Sequence, residues 1–189
     1  MRQKYTTEEI LEKGLEVMIL KGYNYSGLNE LLKVSDIPKG SFYNHFKSKE
    51  DFGAQLIQFY GAKLYAHLES YVNNKELSPL NRIKTFYTDL IKVMARRGYT
   101  CGCLIGNMSQ EVGDLNTTLS NAVNNELKKT KYLLEQTIKE AQEAGEVKNT
   151  DASEWADYIQ NNWHGALLRM KTEQSEKPLQ LFMEYTFSS

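Results

Sequence analysis

Apolar residues recur at threes and fours through most of the chain, and no stretch sustains the alternation of a half-buried strand. Ile10, Leu11, Gly14 and Met18 make the first stripe, which predicts a helix from about Thr7 to Leu20, capped by Thr6 or Thr7 and closed by Gly22. Leu28, Leu31 and Leu32 make a shorter second stripe. Ser26 is its predicted N-cap, because a serine hydroxyl can accept an orphan backbone N–H. Ser35-Asp36-Ile37 then breaks the pattern, and aspartate tolerates the left-handed backbone of a tight turn. Pro38 suits the first position of the next helix, where its missing N–H costs nothing. Phe42 and Phe46 lie four apart and point inward, which leaves Lys39, Ser41, Tyr43, Asn44 and His45 largely on the other side.

The later stripes are longer. Ser48 is predicted to cap a helix from Lys49 to about Tyr71, with Phe52, Leu56, Phe59/Tyr60, Leu64 and Leu68 facing inward. Ser78-Pro79 opens a helix carrying Ile83, Phe86, Tyr87, Leu90, Ile91 and Met94, and Gly98 stops it. Arg96-Arg97 suit the dipole at its end and read as solvated. A short helix is predicted over Leu104–Val112, a long one over Thr118–Ala144 with Gly145 as its cap, another from Thr150-Asp151 to Thr172, and a last one from Pro178 to Phe187. The fold class is all-α.

Two short helices across a tight turn, the second with a polar outer face, form a helix-turn-helix. Such a second helix enters the major groove with its N-terminal residues at base edges. Lys39 and Asn44 can hydrogen-bond to bases. Ser26, Tyr43, Lys47 and Lys49 are types that contact phosphate oxygens, and His45 lies on the same polar face. The helix start after Ser48 adds a backbone anion site.

The block IPKGSFYNHFKSKEDF resembles the signature of the TetR family of bacterial repressors, and helix one, Gly22-Tyr23 and the Ser26-to-Leu32 helix extend the likeness. Asp36 stands where that family most often has Gly, and Pro38 where Ser is commoner. The resemblance implies an N-terminal three-helix helix-turn-helix DNA-binding domain over residues 1–48. A helical effector-binding and dimerisation domain over residues 49–189 follows it. It also implies a homodimer on a palindromic operator in double-stranded DNA, released by a small molecule. A narrower likeness is to the N-ethylmaleimide-reductase repressors, which respond to reactive electrophiles. It rests on GLNELLKVSDIPKGSFYNHFKSKEDFG and on Gly102-Cys103-Leu104 with Ser109, Glu111-Val112 and Asp114-Leu115. The sensing cysteine of that branch falls on Cys103.

The two long amphipathic helices, 118–144 and 151–172, invite pairing with a second copy in a four-helix bundle; the alternative is that their stripes pack within one subunit. A dimer would set two recognition helices roughly 34–36 Å apart, the spacing of successive major grooves on one face of DNA.

Composition adds limits. The 189 residues are 41% hydrophobic and 25% charged, as in soluble globular proteins. Net charge is −1, and residues 1–50 hold eight Lys/Arg against seven Asp/Glu, so DNA binding depends on where a few lysines sit. No apolar run approaches the ~20 residues that span a bilayer. The start MRQKYTTEE has no apolar signal region, which predicts a cytoplasmic protein with no membrane partner.

Cys101 and Cys103 are unsuited to a structural disulfide in a reducing compartment, and His45, His67 and His164 are too scattered for zinc. No metal, cofactor or catalytic residue is expected. No acid/base pair, phosphate-binding glycine loop or nucleophile elbow is present, so an enzyme on this chain would be a small thiol-dependent one. A helical adaptor that has lost DNA binding is the other alternative, and the polar set from Lys39 to Lys49 speaks against it.

Cys103 sits just before a predicted helix, whose free N–H groups favour a thiolate, the attacking species. Lys171 or Arg97 could supply a cation. Equally, a cysteine beside Leu104 and Ile105 can be a small core hydrophobe. The competing effector site is a reversible pocket lined by His67, Met94, Tyr99, Met108 and Trp163, residue types that on a helix face are more often core.

Overall fold

The computed structural model describes residues 5–34, 36–148 and 150–187; of the predicted Ser35-Asp36-Ile37 break, Ser35 lies outside them. Every regular element among the described residues is a helix. In order these are α1 (Thr7–Lys21), α2 (Leu28–Val34), α3 (Lys39–Tyr43), α4 (Lys49–Val72), α5 (Pro79–Arg96), α6 (Leu104–Val112), α7 (Thr117–Glu143), α8 (Ala152–Glu173) and α9 (Lys177–Phe187). The apolar periods place these helices to within a few residues. Contacts divide the chain into two compact units, residues up to 63 with 103–126, and residues 64–102 with 127–189. Helices α4 and α7 contribute residues to both.

In the first unit α1 packs on α2 and α6. It begins in a capping box: Glu9 N–H donates to the Thr6 hydroxyl (3.2 Å) and Thr6 N–H to the Glu9 carboxylate (2.7 Å). The core is built on Ile10, Met18, Leu31 and a trio of aromatics. Phe42, Phe46 and Phe52 are each at most 1% exposed, with ring centroids 5.0, 5.1 and 5.5 Å apart. Each such burial contributes about 1.5–3 kcal/mol. Gly14 completes the fit, because a Cβ there would run into the Phe52 ring. Adding even one carbon to so tight a contact costs typically about 1–3 kcal/mol.

The turn between α2 and α3 has Asp36 at φ 51, the left-handed conformation expected of it. Two local expectations need correction. Pro38 is the N-cap of α3 (φ −60, ψ 138) rather than its first helical residue. Ser26 is not the cap of α2: the first helical bond runs from Leu31 N–H to the Gly27 carbonyl (2.9 Å), and the Ser26 hydroxyl donates backwards to the Gly22 carbonyl (2.6 Å).

In the second unit α9 packs on α5 and α8. Their shared core is an aromatic cluster in which Tyr87 lies 5.1 Å from Trp163 and 5.0 Å from Phe182, with Phe187 closing the far side at 6.1 Å. Ser78 and Pro79 start α5 as predicted. Gly145, at φ 71, ends α7 by letting the Glu146 N–H turn back to the Ala141 carbonyl (2.9 Å). Asp151 caps α8, accepting from Ser153 and Glu154 N–H (2.8 and 2.9 Å).

Arg82 is buried at 5% exposure and does the work of a C-cap. Its guanidinium donates to the carbonyls of Val72, Asn74 and Leu77 (3.3, 2.9 and 2.9 Å) and to Glu140 (2.6 Å). The Asn74 carbonyl also accepts the Leu77 N–H (3.3 Å), so Arg82 adds a charged donor to carbonyls at and just after the end of α4. No helix among the described residues is long and apolar enough to cross a membrane.

Candidate functional site

Helix α3 is short, and its orientation comes from its neighbours rather than its own length. Phe42 and Phe46 anchor it from below, and His45 ties it sideways through Nδ1 and the Thr7 hydroxyl (2.8 Å) at the start of α1. The outward face carries Lys39, Tyr43, Asn44 and Lys47, all exposed, with Ser41 and His45 half-buried beside them. Two members of the expected DNA-facing set stand apart. Ser26 is fully buried, its hydroxyl spent on Gly22, so it offers nothing at the surface. Lys49 is turned inward: its ammonium donates to the Tyr23 carbonyl (2.6 Å) and lies 4.1 Å from the centre of the Tyr23 ring. Burial pulls its pKa below the usual lysine value, partly offset by the Glu111 carboxylate.

The start of α4 is also filled from within. The Ser48 hydroxyl accepts from Asp51 N–H (3.1 Å), and the Asp51 carboxylate accepts from Lys47 N–H (2.8 Å). Glu50 and Asp51 supply the negative charge that a helix start favours. Of the amides at the expected backbone anion site, that of Asp51 is taken by the Ser48 hydroxyl.

Helix α6 joins this region to Cys103. Near its C-terminal end the Glu111 side chain accepts from Asn24 N–H (2.8 Å), and the Glu111 carbonyl accepts from the Asn24 side-chain amide (2.9 Å). Gly22, at φ 82, makes room for it, since a Cβ there would lie 2.5 Å from a Glu111 oxygen. Glu111 thus clasps the loop between α1 and α2 at the point where Lys49 holds Tyr23. At the other end, Cys103 is the N-cap of α6 and is 7% exposed. Its sulfur receives a hydrogen bond from the Tyr60 hydroxyl of α4 (3.5 Å).

The chain leading to Cys103 is unusual in the second unit: Gly98, Tyr99, Cys101 and Gly102 all have φ between 58 and 70. For Tyr99 and Cys101 that left-handed backbone carries a strain of about 1–3 kcal/mol each. Tyr99 is held there by its hydroxyl, which donates to Glu176 (2.9 Å). The glycines advertise such a turn in the sequence; the tyrosine and cysteine do not.

Of the other expected effector residues, Lys171 lies half-buried in the last turn of α8 in the second unit. Met108 is core in the first unit and Met94 core in the second. Trp163 is locked between Tyr87 and Phe182, the Tyr99 hydroxyl is taken by Glu176, and His67 is exposed with its ring against Tyr71 and Phe86. Aromatic and methionine residues at helical spacing here follow the packing rule. A cleft of about 850 Å³ in the second unit is lined instead by Leu80, Val147, Trp155, Tyr158 and Phe187 with Glu146 and Asp151.

Residues 10–56 match the family described as bacterial regulatory proteins, tetR family, and residues 79–186 match the tetracyclin repressor-like C-terminal domain. The chain belongs to the TetR family. It is 33% identical to the HTH-type transcriptional repressor DhaR of Mycobacterium sp. (strain GP1), over 96% of this chain and 90% of that one. It is 30% identical to the HTH-type transcriptional repressor NemR of Escherichia coli K12, over 93% of this chain and 88% of that one. The crystal structure of the reduced form of E. coli NemR superposes with a TM-score of 0.89 at 28% identity, covering 96% of this chain and 94% of that one.

The narrower likeness to the N-ethylmaleimide-reductase repressors thus holds along nearly the whole chain, beyond the stretches that first suggested it. As a TetR-family member the protein is a helix-turn-helix regulator of transcription and not an enzyme. TetR-family regulators bind operator DNA as dimers.

Proposed function

We propose that the chain is a homodimeric, cytoplasmic repressor whose hold on a palindromic operator is released by covalent modification of Cys103. The observation that carries the reading is the span of α6, with Cys103 at one end and the Glu111 clasp on the α1–α2 loop at the other. A group added to a sulfur that is 7% exposed has to displace packed neighbours, because interiors are filled to crystal-like density. Moving α6 pulls on the loop that Lys49 and Tyr23 share, and through it on α1 and the bed of α3. The relative NemR is named a repressor and was crystallised in a form described as reduced, which fits a thiol as the sensitive group.

Lys39 and Asn44 read bases, while Tyr43, Lys47, Ser41 and His45 hold the phosphate backbone. The second copy docks on α8 and α9. Tyr158, Leu168, Leu181 and Tyr185 are 48, 39, 41 and 72% exposed on those helices, whereas α7 exposes Tyr132 as its one large apolar side chain among those described. In this reading α9 takes the place beside α8 that the apolar pattern assigns to helix 118–144. A reversible ligand in the 850 Å³ cleft is the second reading, favoured by its Trp155, Tyr158 and Phe187 walls.

The test is anisotropy of labelled DNA from the protein's own upstream region at fixed salt. Lys39→Ala or Asn44→Ala is expected to weaken specific binding by about 1–3 kcal/mol while sparing the weak binding to unrelated DNA. Equal losses on both DNAs would sink the base-reading role.

A further inference from the structure

Cys103 stands where two helices of the first unit meet. It is extended (φ −110, ψ 131) and caps the nine-residue α6 through its backbone: its carbonyl takes the Asn107 N–H (2.9 Å), and its side chain makes no cap bond. The first-turn N–H groups of such a helix point toward the residue that precedes it, and they favour negative charge there. From α4, the Tyr60 hydroxyl approaches the sulfur to 3.5 Å. A phenolic O–H donates, and a charged acceptor strengthens the bond roughly twofold over a neutral one. That bond therefore favours the thiolate over the thiol.

Burial acts in the opposite direction. The Tyr60 contact is the specific feature set against it.

We propose that Tyr60 is the positioning residue for covalent chemistry at Cys103: its hydroxyl holds the sulfur at the start of α6 and stabilises the thiolate that attacks an electrophilic carbon. This rests on the electrophile reading given above. The ligand class is a small activated alkene, an unsaturated carbonyl compound able to reach a nearly enclosed sulfur. The thiol ionises, the sulfur–carbon bond forms as the carbon–carbon π bond breaks, and the electron pair moves to the carbon beside the carbonyl. The proton given up by the thiol returns to that carbon. Thiol and alkene are the only reactants, and nothing is oxidised.

The test is the pH profile of labelling by N-ethylmaleimide in the full chain carrying Cys101→Ser, so that one thiol remains. Tyr60→Phe is compared with its parent, and adducts are counted by mass spectrometry. Tyr60→Phe is expected to slow labelling about tenfold at pH 7 and to move the midpoint of the profile upward. The two rates should converge at high pH, where both thiols are ionised; a merely structural role would slow labelling at every pH.

Equal rates and midpoints overturn the role of Tyr60 and leave the electrophile reading standing. Should Tyr60→Phe fail to fold, the parent protein decides alone: a Cys103 midpoint at or above the ordinary thiol value of ~8.5 overturns the proposal. No labelling of Cys103 at any pH removes the electrophile reading and the proposal with it.

Discussion

The ammonium of Lys49 and the backbone of Tyr23 are joined by a 2.6 Å hydrogen bond, with the Tyr23 ring 4.1 Å away from the same charge. A lysine that by position belongs to the DNA-facing set is thus a strut between α4 and the loop after α1. Its neighbour in sequence, Lys47, is exposed.

The two lysines should separate cleanly in experiment. Lys47→Ala is expected to leave unfolding unchanged, to weaken binding to any DNA, and to lower the salt slope of binding by about one. Lys49→Ala is expected to lower stability by about 1–3 kcal/mol, since a charge-assisted hydrogen bond and a cation–π contact are lost together. Thermal unfolding of the two variants, beside a salt titration of each, checks both statements.

Glu111 predicts a different signature. Glu111→Gln keeps a side chain that can accept from Asn24 but removes the charge beside Lys49. Operator binding should persist, while release by a thiol reagent should need more modification. A variant that releases identically to wild type would show that α6 does not carry the signal through this clasp.

Acid should weaken the second unit through Glu140. Its pKa is held below the ordinary 4.5, first by the Lys75 ammonium and then by the buried Arg82 guanidinium. A carboxyl with a depressed folded value adds stability above its unfolded pKa and loses it as pH falls through the folded one. Stability should therefore fall as pH drops below about 4.5, and Glu140→Gln should flatten that part of the profile. Arg82→Ala is expected to cost about 2–4 kcal/mol at neutral pH, because the Val72, Asn74 and Leu77 carbonyls and the Glu140 carboxylate all lose a charged donor. Urea unfolding at several pH values reads both effects.

The dimer surface is tested by charge. Leu181→Glu on α9 and Leu168→Glu on α8 should each shift the protein toward monomer in sedimentation and reduce operator affinity. Tyr132→Glu on α7 should do neither. The opposite pattern would restore the pairing through α7.

The period of apolar residues announced all the helices because burial of one face is what each helix needs, and that need is written locally. Asp36, Ser48, Gly98 and Gly145 were readable for the same reason, since caps and turns act within a few residues. What sequence could not supply was the direction of side chains set by distant neighbours. Ser26 is a good cap by type, yet a carbonyl four residues back claims its hydroxyl. Lys49 is a good phosphate ligand by position, yet Tyr23 claims its charge. Tyr60 reads as one more apolar position on α4, and only folding brings its hydroxyl to Cys103. Trp163 and Met94 belonged to the core, as their spacing had equally allowed. The exposed apolar face of α9 was hidden in sequence by the same stripe that buries Leu179, Phe182 and Phe187.

The most direct test of the whole account is operator binding at fixed salt before and after treatment with a thiol-reactive electrophile, for wild type and Cys103→Ser. Wild type should bind, take up one equivalent at Cys103 and let go, while Cys103→Ser should bind and stay bound. Wild type that remains bound with Cys103 fully modified would contradict the account, as would a Cys103→Ser protein that releases as wild type does.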